Sequence, residues 1–597
     1  MSKAGVLGFF LALLLAAGAC GSDDGAAGPG DGGAGADGGG PGSDAAEASG
    51  DAGGIDDCEV ETCASRGQAC GQFVSCGEII DCADEGITCE GGTTCIGGMD
   101  EPPECLAQGG DECDVCAAIP DCDESSPTRL SGRVLTPGRD DDDSANQVGV
   151  PNAVVSILST SDASALPEMP SGLPEGERRC ERCEDQTEYL GPFLTGTVTD
   201  ATGRFEIVDD IPVGEEIVIV TMSGQFRRAE TVTLPAEEAC GEIQLPDSVG
   251  EGNEVVDSGN PTRLPRHMQD GDGANIPRTV VSTGRFDAMA CVFEKMGIDH
   301  DEFANAGSET GRIQLYRGDD GAQGMRLDSD TPPDTELYED LNALESYDMY
   351  VADCQGNAWD SDFSLRDEYG DHIREYVNRG GRLFASHLSF SWLHGNGFEE
   401  YDEADPIATG LAEAATFDES LISNPDQATG AVSFGREQES SRIDSFATWM
   451  EEEGVAEPED YEFVIAEPRP QVEEVGEHVE EFVYCTDDLC EDDAQQFSFD
   501  TPYGAPQDDA CGRLAYSAFH VLPPSNNFAD AFFPDDCPGA DLSDQEKVLL
   551  YMLFDLQACV GDPLPPVCEP ASCAPADCGY QSDGCGGILD CGLCPIE

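Results

Sequence analysis

Three side chains offer nucleophilic or metal-binding chemistry: Cys354 in Val351-Ala352-Asp353-Cys354-Gln355-Gly356-Asn357, His387 in Phe384-Ala385-Ser386-His387, and His520 in Tyr516-Ser517-Ala518-Phe519-His520. A thiol beside an imidazole loses its proton more readily and becomes a nucleophile, so Cys354 with His387 or His520 as base describes a hydrolase. The competing reading makes Cys354 a buried or disulfide-bonded cysteine, with Cys291 as its candidate partner, and both histidines ordinary polar residues at strand ends. The second reading is preferred, because cysteines in an oxidising compartment pair. A metal on His387, His394 and His520 lacks a compact ligand motif of the H-E-x-x-H kind, so neither a metal nor a cofactor is expected. Arg317-Gly318-Asp319 and Asp270-Gly271-Asp272-Gly273 are too short to specify an adhesion tripeptide or a calcium loop, which takes ligands over about twelve positions.

The elements that must position these residues lie between about 275 and 560. Strands are predicted at Thr279 to Ser282, Ile313 to Tyr316, Asp348 to Cys354 and Arg382 to Ser386, and again at Tyr461 to Ile465, Phe482 to Cys485 and Arg513 to His520. Helices are predicted at Phe286 to Met296, Glu336 to Leu344, Leu365 to Val377 and Gln545 to Ala558. Alternating strands and helices specify a doubly wound α/β domain with a parallel sheet. Such sheets take ligands at the carboxyl ends of their strands, where all three candidates fall.

Residues 129 to 246 read differently. Short alternating runs separated by Gly, Pro and Asp turns are the pattern of a β-sandwich. Residues 58 to 125 are Cys-rich with few large apolar side chains, so disulfides must staple them. A similar module returns at 565–597: Cys70-Gly71-Gln72 … Cys76-Gly77-Glu78-Ile79-Ile80-Asp81-Cys82 is echoed by Cys578-Gly579-Tyr580 … Cys585-Gly586-Gly587-Ile588-Leu589-Asp590-Cys591. Disulfide candidates are Cys58, Cys63, Cys70, Cys76, Cys82, Cys180, Cys183, Cys240, Cys568, Cys573, Cys578, Cys585, Cys591 and Cys594. Disulfides are preferred to zinc for Cys113-Asp114-Val115-Cys116 and Cys591-Gly592-Leu593-Cys594, since neither region contains a histidine.

Residues 1 to 19 have the anatomy of a signal peptide, with Lys3, an apolar run from Val6 to Ala17, and small residues before Cys20. The run is about half the roughly 20 residues a spanning helix needs. Residues 20 to 57 are nearly all Gly, Ala, Asp, Ser and Pro, a flexible tether spanning roughly 30 to 35 Å. The chain carries 122 acidic and 28 basic residues over 597 positions, a formal charge of −94, which repels phosphates and argues against a nucleic-acid partner. Of its 28 cysteines, 27 are left after Cys20, an odd number, so at least one thiol is left over or pairs between chains.

Several stretches resemble known families. Ala17-Gly18-Ala19-Cys20 resembles the bacterial lipobox, with Ala17 where Leu is usual. This resemblance implies lipidation of Cys20, a membrane partner reached through that lipid, and an outer-membrane or cell-surface location. Gly149-Val150-Pro151-Asn152-Ala153 and Thr199-Asp200-Ala201-Thr202-Gly203-Arg204-Phe205 resemble the carboxypeptidase regulatory-like domain, which implies an Ig-like or transthyretin-like sandwich without catalysis. Its hairpin is interrupted by an insertion carrying Cys180 and Cys183, expected to pair partly with Cys240. Gly380-Gly381-Arg382-Leu383-Phe384-Ala385-Ser386-His387 resembles class I glutamine amidotransferase-like proteins of flavodoxin-like fold, where a strand leads into a nucleophile elbow. Here His387 stands near the nucleophile position and Leu522 follows His520 where the family has Glu, so the elbow is read as missing and that mechanism is not carried over. As a whole, residues 58 to 597 resemble a family of Cys-rich bacterial surface lipoproteins, some misleadingly named tryptophan synthase alpha chain. Members often read S-H-x-H where this chain has Ser389. The expected function is a lipid-anchored surface protein that binds a glycan or protein ligand, with an exported hydrolase as the alternative.

Overall fold

The computed structural model describes residues 113–560, except 124–125, 140–145, 209, 251, 254–255, 257–258, 356–363, 395, 419–426, 434–439, 458–460, 467, 489, 491, 521–527 and 540, together with strands within 72–81, 93–107 and 580–590. The signal peptide, Cys20, the tether, and the candidates Cys58, Cys63, Cys70, Cys76, Cys82, Cys568, Cys573, Cys578, Cys585, Cys591 and Cys594 lie outside the described residues. The echoed terminal segments both form antiparallel hairpins, Gln72–Ser75 with Glu78–Asp81 and Tyr580–Ser582 with Ile588–Asp590. No helix among the described residues is long and apolar enough to cross a membrane.

Two sheets form the first half. The strands are β1 (Arg129–Arg133), β2 (Val154–Leu158), β3 (Phe193–Val198), β4 (Arg204–Val208), β5 (Glu216–Ser223), β6 (Phe226–Thr233), β7 (Glu242–Gln244) and β8 (Asp272–Asn275). One sheet has the order β8-β6-β5-β2-β3 and the other β7-β1-β4. Their facing side chains, among them Leu130, Val155, Ile157, Phe205 and Ile219, share one core. Strand β4 alternates exposed and buried residues along its length, the period-two pattern of a sheet with one wet face. Strand β8 was not expected from the sequence, because Asp272, Gly273 and Asn275 have low strand propensity; pairing with β6 overrides it.

The second half is built on one ten-stranded mixed sheet. Its strands are β9 (Thr279–Thr283), β10 (Phe303–Asn305), β11 (Ile313–Arg317), β12 (Met349–Ala352), β13 (Arg382–Ser386), β14 (Gln427–Val432), β15 (Glu462–Ala466), β16 (Glu480–Cys485), β17 (Ala494–Thr501) and β18 (Gly512–Ser517). The order is β10-β11-β9-β12-β13-β18-β17-β16-β14-β15, parallel from β10 to β18 and antiparallel beyond. Strands β9, β12 and β13 are buried at every position, as a parallel sheet covered on both faces requires. Helices α1 (Met289–Lys295) and α2 (Asp544–Gln557) contribute to the core that holds Val281, Val351 and Phe384 on one face. On the other, Tyr350, Leu383 and Tyr516 share a core with residues of Ser364–Asn378 and of the short helices Thr335–Tyr338 and Leu341–Glu345, the last two read from sequence as one.

Disulfides join the halves. Cys180 pairs with Cys511 and Cys183 with Cys559, whereas Cys240 pairs with Cys122. The expected pairing of Cys180 or Cys183 with Cys240 is therefore wrong. The insertion between β2 and β3 runs onto the mixed sheet, where the Gly172 N–H donates to Asp348 at 2.8 Å and Arg179 to the same carboxylate at 2.9 Å. Cys113 and Cys116 pair with each other, as preferred over zinc, and Cys485 pairs with Cys490.

Candidate functional site

Strands β9, β11 and β12 set the site. The chain moves from β9 outward to β10 and β11, then crosses back to place β12 on the other side of β9. The carboxyl ends of β9 and β12 thus flank the point where strand order reverses, the position at which open α/β sheets form a crevice. Gly284 follows β9, and a Cβ there would stand 2.3 Å from the Cys354 carbonyl, so only glycine lets the two strand ends approach.

Cys354, His387 and His520 follow β12, β13 and β18 and meet there. The Cys354 sulfur is 3.3 Å from His387 Nδ1, which is 2.9 Å from His520 Nε2. All three are buried. Cys354 takes part in none of the six disulfides among the described residues; the candidate partner Cys291 pairs with Cys537 instead. Of the preferred alternatives, a buried or a disulfide-bonded cysteine, Cys354 is the buried one, and the suggested bridge to Cys291 is not formed. His394 stands apart, packed edge-on against Phe390 and Phe417.

His387 has a φ of 43°, at the apex of a sharp turn from β13 into the 3-10 helix His387–Trp392. A non-glycine residue at positive φ is strained and clusters at functional positions. The chain thus turns sharply after β13 with a histidine, not a cysteine, at the apex. Tyr516 holds it by donating to the His387 carbonyl at 3.2 Å, and the Ser389 hydroxyl donates to the Asp353 carbonyl at 3.0 Å.

Several neighbours escaped sequence reasoning. Asp287 accepts from the Cys354 N–H at 3.3 Å and from the Ser386 hydroxyl. Asp353 accepts from the Gly284 N–H at 3.2 Å, and burial followed by the Asp287 charge raises its pKa well above the carboxylate range. Arg469 donates to His520 Nδ1 at 3.2 Å. Burial lowers the pKa of both imidazoles, followed for His387 by His520 and Arg469; His520 falls to about 4 although Asp287 opposes the shift. Both rings are therefore neutral near pH 7. Asp353 was legible as the neighbour of Cys354; Arg469, in a loop after β15, carried no motif.

Next to Cys354, the Gln355 amide donates to Asp334 at 2.7 Å and Tyr338 donates to the same oxygen at 2.8 Å. Burial nevertheless raises the Asp334 pKa to about 6, above its ordinary value of 3.8. The folded state then holds a proton that the unfolded chain has released, so stability falls as pH rises from about 4 to about 6. The shift corresponds to about 3 kcal/mol. Urea titrations at pH 4 and pH 6.5 should show the wild type losing about 2 kcal/mol relative to Asp334→Asn, most of that shift; parallel pH profiles would refute the assignment.

No protein-family model matches the chain, and no curated protein matches it. Among solved structures, a catalytic mutant of Gan42B, a GH42 beta-galactosidase from G. stearothermophilus, aligns at 11% identity over 48% of this chain and 31% of its own, with a TM-score of 0.21. A second structure of Gan42B aligns at 10% identity over 54% of this chain and 39% of its own, with a TM-score of 0.22. The chain therefore spans well under half the length of the galactosidase chains it is similar to.

Proposed function

We propose that this chain is an exported, lipid-anchored cell-surface protein that binds an extracellular glycan or protein ligand and performs no thiol catalysis. Six disulfides among the described residues support export, because such bonds persist in oxidising compartments. The lipobox-like Ala17-Gly18-Ala19-Cys20 supplies the anchor and the charge of −94 disfavours nucleic acid as partner. The two sheets of the first half serve as an Ig-like accessory module, and the mixed sheet as a flavodoxin-like, amidotransferase-like domain. The observation carrying the non-catalytic reading is that Cys354 has no exposed surface. A substrate carbonyl must touch a nucleophile's sulfur, and this sulfur is enclosed.

Iodoacetamide labelling of the non-reduced full chain near neutral pH tests this reading. Cys354 should label slowly until denaturant is added, and glycan-array or cell-surface binding should survive treatment of the native protein. Fast labelling of Cys354 coupled to loss of a hydrolytic turnover would establish the hydrolase instead.

A further inference from the structure

The Cys354 cluster is more than a buried thiol. Its three side chains come from positions separated by 33 and 133 residues, yet one ligand-type atom from each lies within 4.8 Å of the other two. We infer that Cys354 Sγ, His387 Nδ1 and His520 Nε2 are three ligands of a zinc-class divalent metal ion at the carboxyl ends of β12, β13 and β18. This goes beyond the binding function proposed above and stands independently of it.

The geometry is compatible with a metal. Zinc bonds of about 2.0–2.1 Å to nitrogen and about 2.3 Å to sulfur place tetrahedral ligands about 3.3 Å apart for two nitrogens and about 3.6 Å for nitrogen and sulfur. The ring nitrogens are 2.9 Å apart and the sulfur is 3.3 Å from His387 Nδ1, a few tenths of an ångström short of those values, and the sulfur lies within 4.8 Å of a His520 nitrogen. One thiolate and two imidazoles suit zinc or copper and discriminate against magnesium and calcium, which prefer oxygen.

The outer face of the His387 ring points the same way. His387 is 5% exposed and Gln471 1% exposed; the His387 Nε2 and the Gln471 Oε1 make no well-formed hydrogen bond elsewhere, and the Gln471 side chain interacts with the His387 ring. A metal on Nδ1 leaves the His387 proton on Nε2, facing Gln471, the outer hydrogen bond that metal-bound histidines characteristically make. Asp287, already bonded to the Cys354 N–H, supplies nearby negative charge.

The proton count is definite. Arg469 only donates, so in the metal-free chain the His520 proton sits on Nε2 and points at His387. Loading moves that proton to Nδ1 and turns the guanidinium aside. The Cys354 thiol gives its proton to solvent as the metal–sulfur bond forms, so one proton is released per ion and no electron is transferred.

The test uses the full chain, non-reduced, stripped by chelator and titrated with cobalt(II). One equivalent should release one proton and give tetrahedral visible bands with a near-ultraviolet thiolate-to-cobalt charge-transfer band, and zinc should displace the cobalt with no further proton release. The surface carboxylates of so acidic a chain bind cobalt through oxygen and give neither signal. Cys354→Ser should abolish the charge-transfer band, and His520→Gln should weaken zinc at least about tenfold. An octahedral spectrum alone, or a charge-transfer band that persists in Cys354→Ser, overturns the proposal. Zinc-edge absorption on the wild type keeps the question open to decision if a variant fails to fold: one sulfur and two or more nitrogens support the site, and a shell without sulfur rejects it. Loss of the metal signals with surface binding intact would remove this inference alone.

Discussion

Replacing Cys180 and Cys183 together by serine is expected to destabilise the protein by more than about 5 kcal/mol, with limited proteolysis cutting between β2 and β3 long before the rest of the chain. The two bridges span 331 and 376 residues. Closing a loop of that size restricts the unfolded chain by roughly 5 kcal/mol in the chain-entropy account. Because the bridges lie close together at both ends, each shortens the loop that the other closes. Cys180→Ser or Cys183→Ser alone should therefore lose less, and the double variant should exceed the sum of the singles by about 1–2 kcal/mol. Guanidinium midpoints of the three variants provide the measurement. Strict additivity would show that the two bridges do not share a loop. The polar contacts of the insertion, including Glu181 accepting from the Val560 N–H at 2.8 Å, set how far the strap stays docked once both bridges are gone.

The second large effect is expected at Lys295→Met. Lys295 on α1 donates to Glu546 in the first turn of α2 at 2.7 Å, with side chains only 2% and 1% exposed. Glu546 also accepts from the Ser543 N–H at 2.8 Å, closing a capping box at the start of α2. Removing the lysine leaves a buried carboxylate without its counter-charge, which destabilises by about 3–5 kcal/mol, whereas replacing both partners is far milder. The pair Lys295→Met and Glu546→Gln should recover most of the loss in a urea titration. A single variant that unfolds like wild type would mean that water reaches Glu546 once the lysine is gone.

Much of the mixed sheet was legible because buried parallel strands read as short apolar runs and the helices between them show a longer period. Thr279–Thr283, Ile313–Arg317 and Arg382–Ser386 lie within a residue of their expected limits. Strands such as Gln427–Val432 and Ala494–Thr501 were not anticipated. Ala-Thr-Gly-Ala and Ala-Gln-Gln resemble loop as much as strand, and only pairing with neighbours in the sheet decides between them. The site was half legible. Its three candidates could be placed at strand ends, but a local pattern says nothing about which strand ends are adjacent.

The sequence by itself determined the strand and helix alternation of the second half, the alternating strands of the first, and the acidity. These follow from periodicity and composition, each a property of neighbouring residues or of a count. Tertiary structure decided the rest. Sheet order places β12 between β9 and β13 and β18 beside β13, and only that order brings Cys354, His387 and His520 into contact. The same long-range order took Cys180 and Cys183 to Cys511 and Cys559 instead of Cys240 and paired Cys291 with Cys537, leaving Cys354 against an imidazole instead of in a disulfide. Pairing across hundreds of residues is set by which surfaces must be buried together, and that is a property of the packed chain.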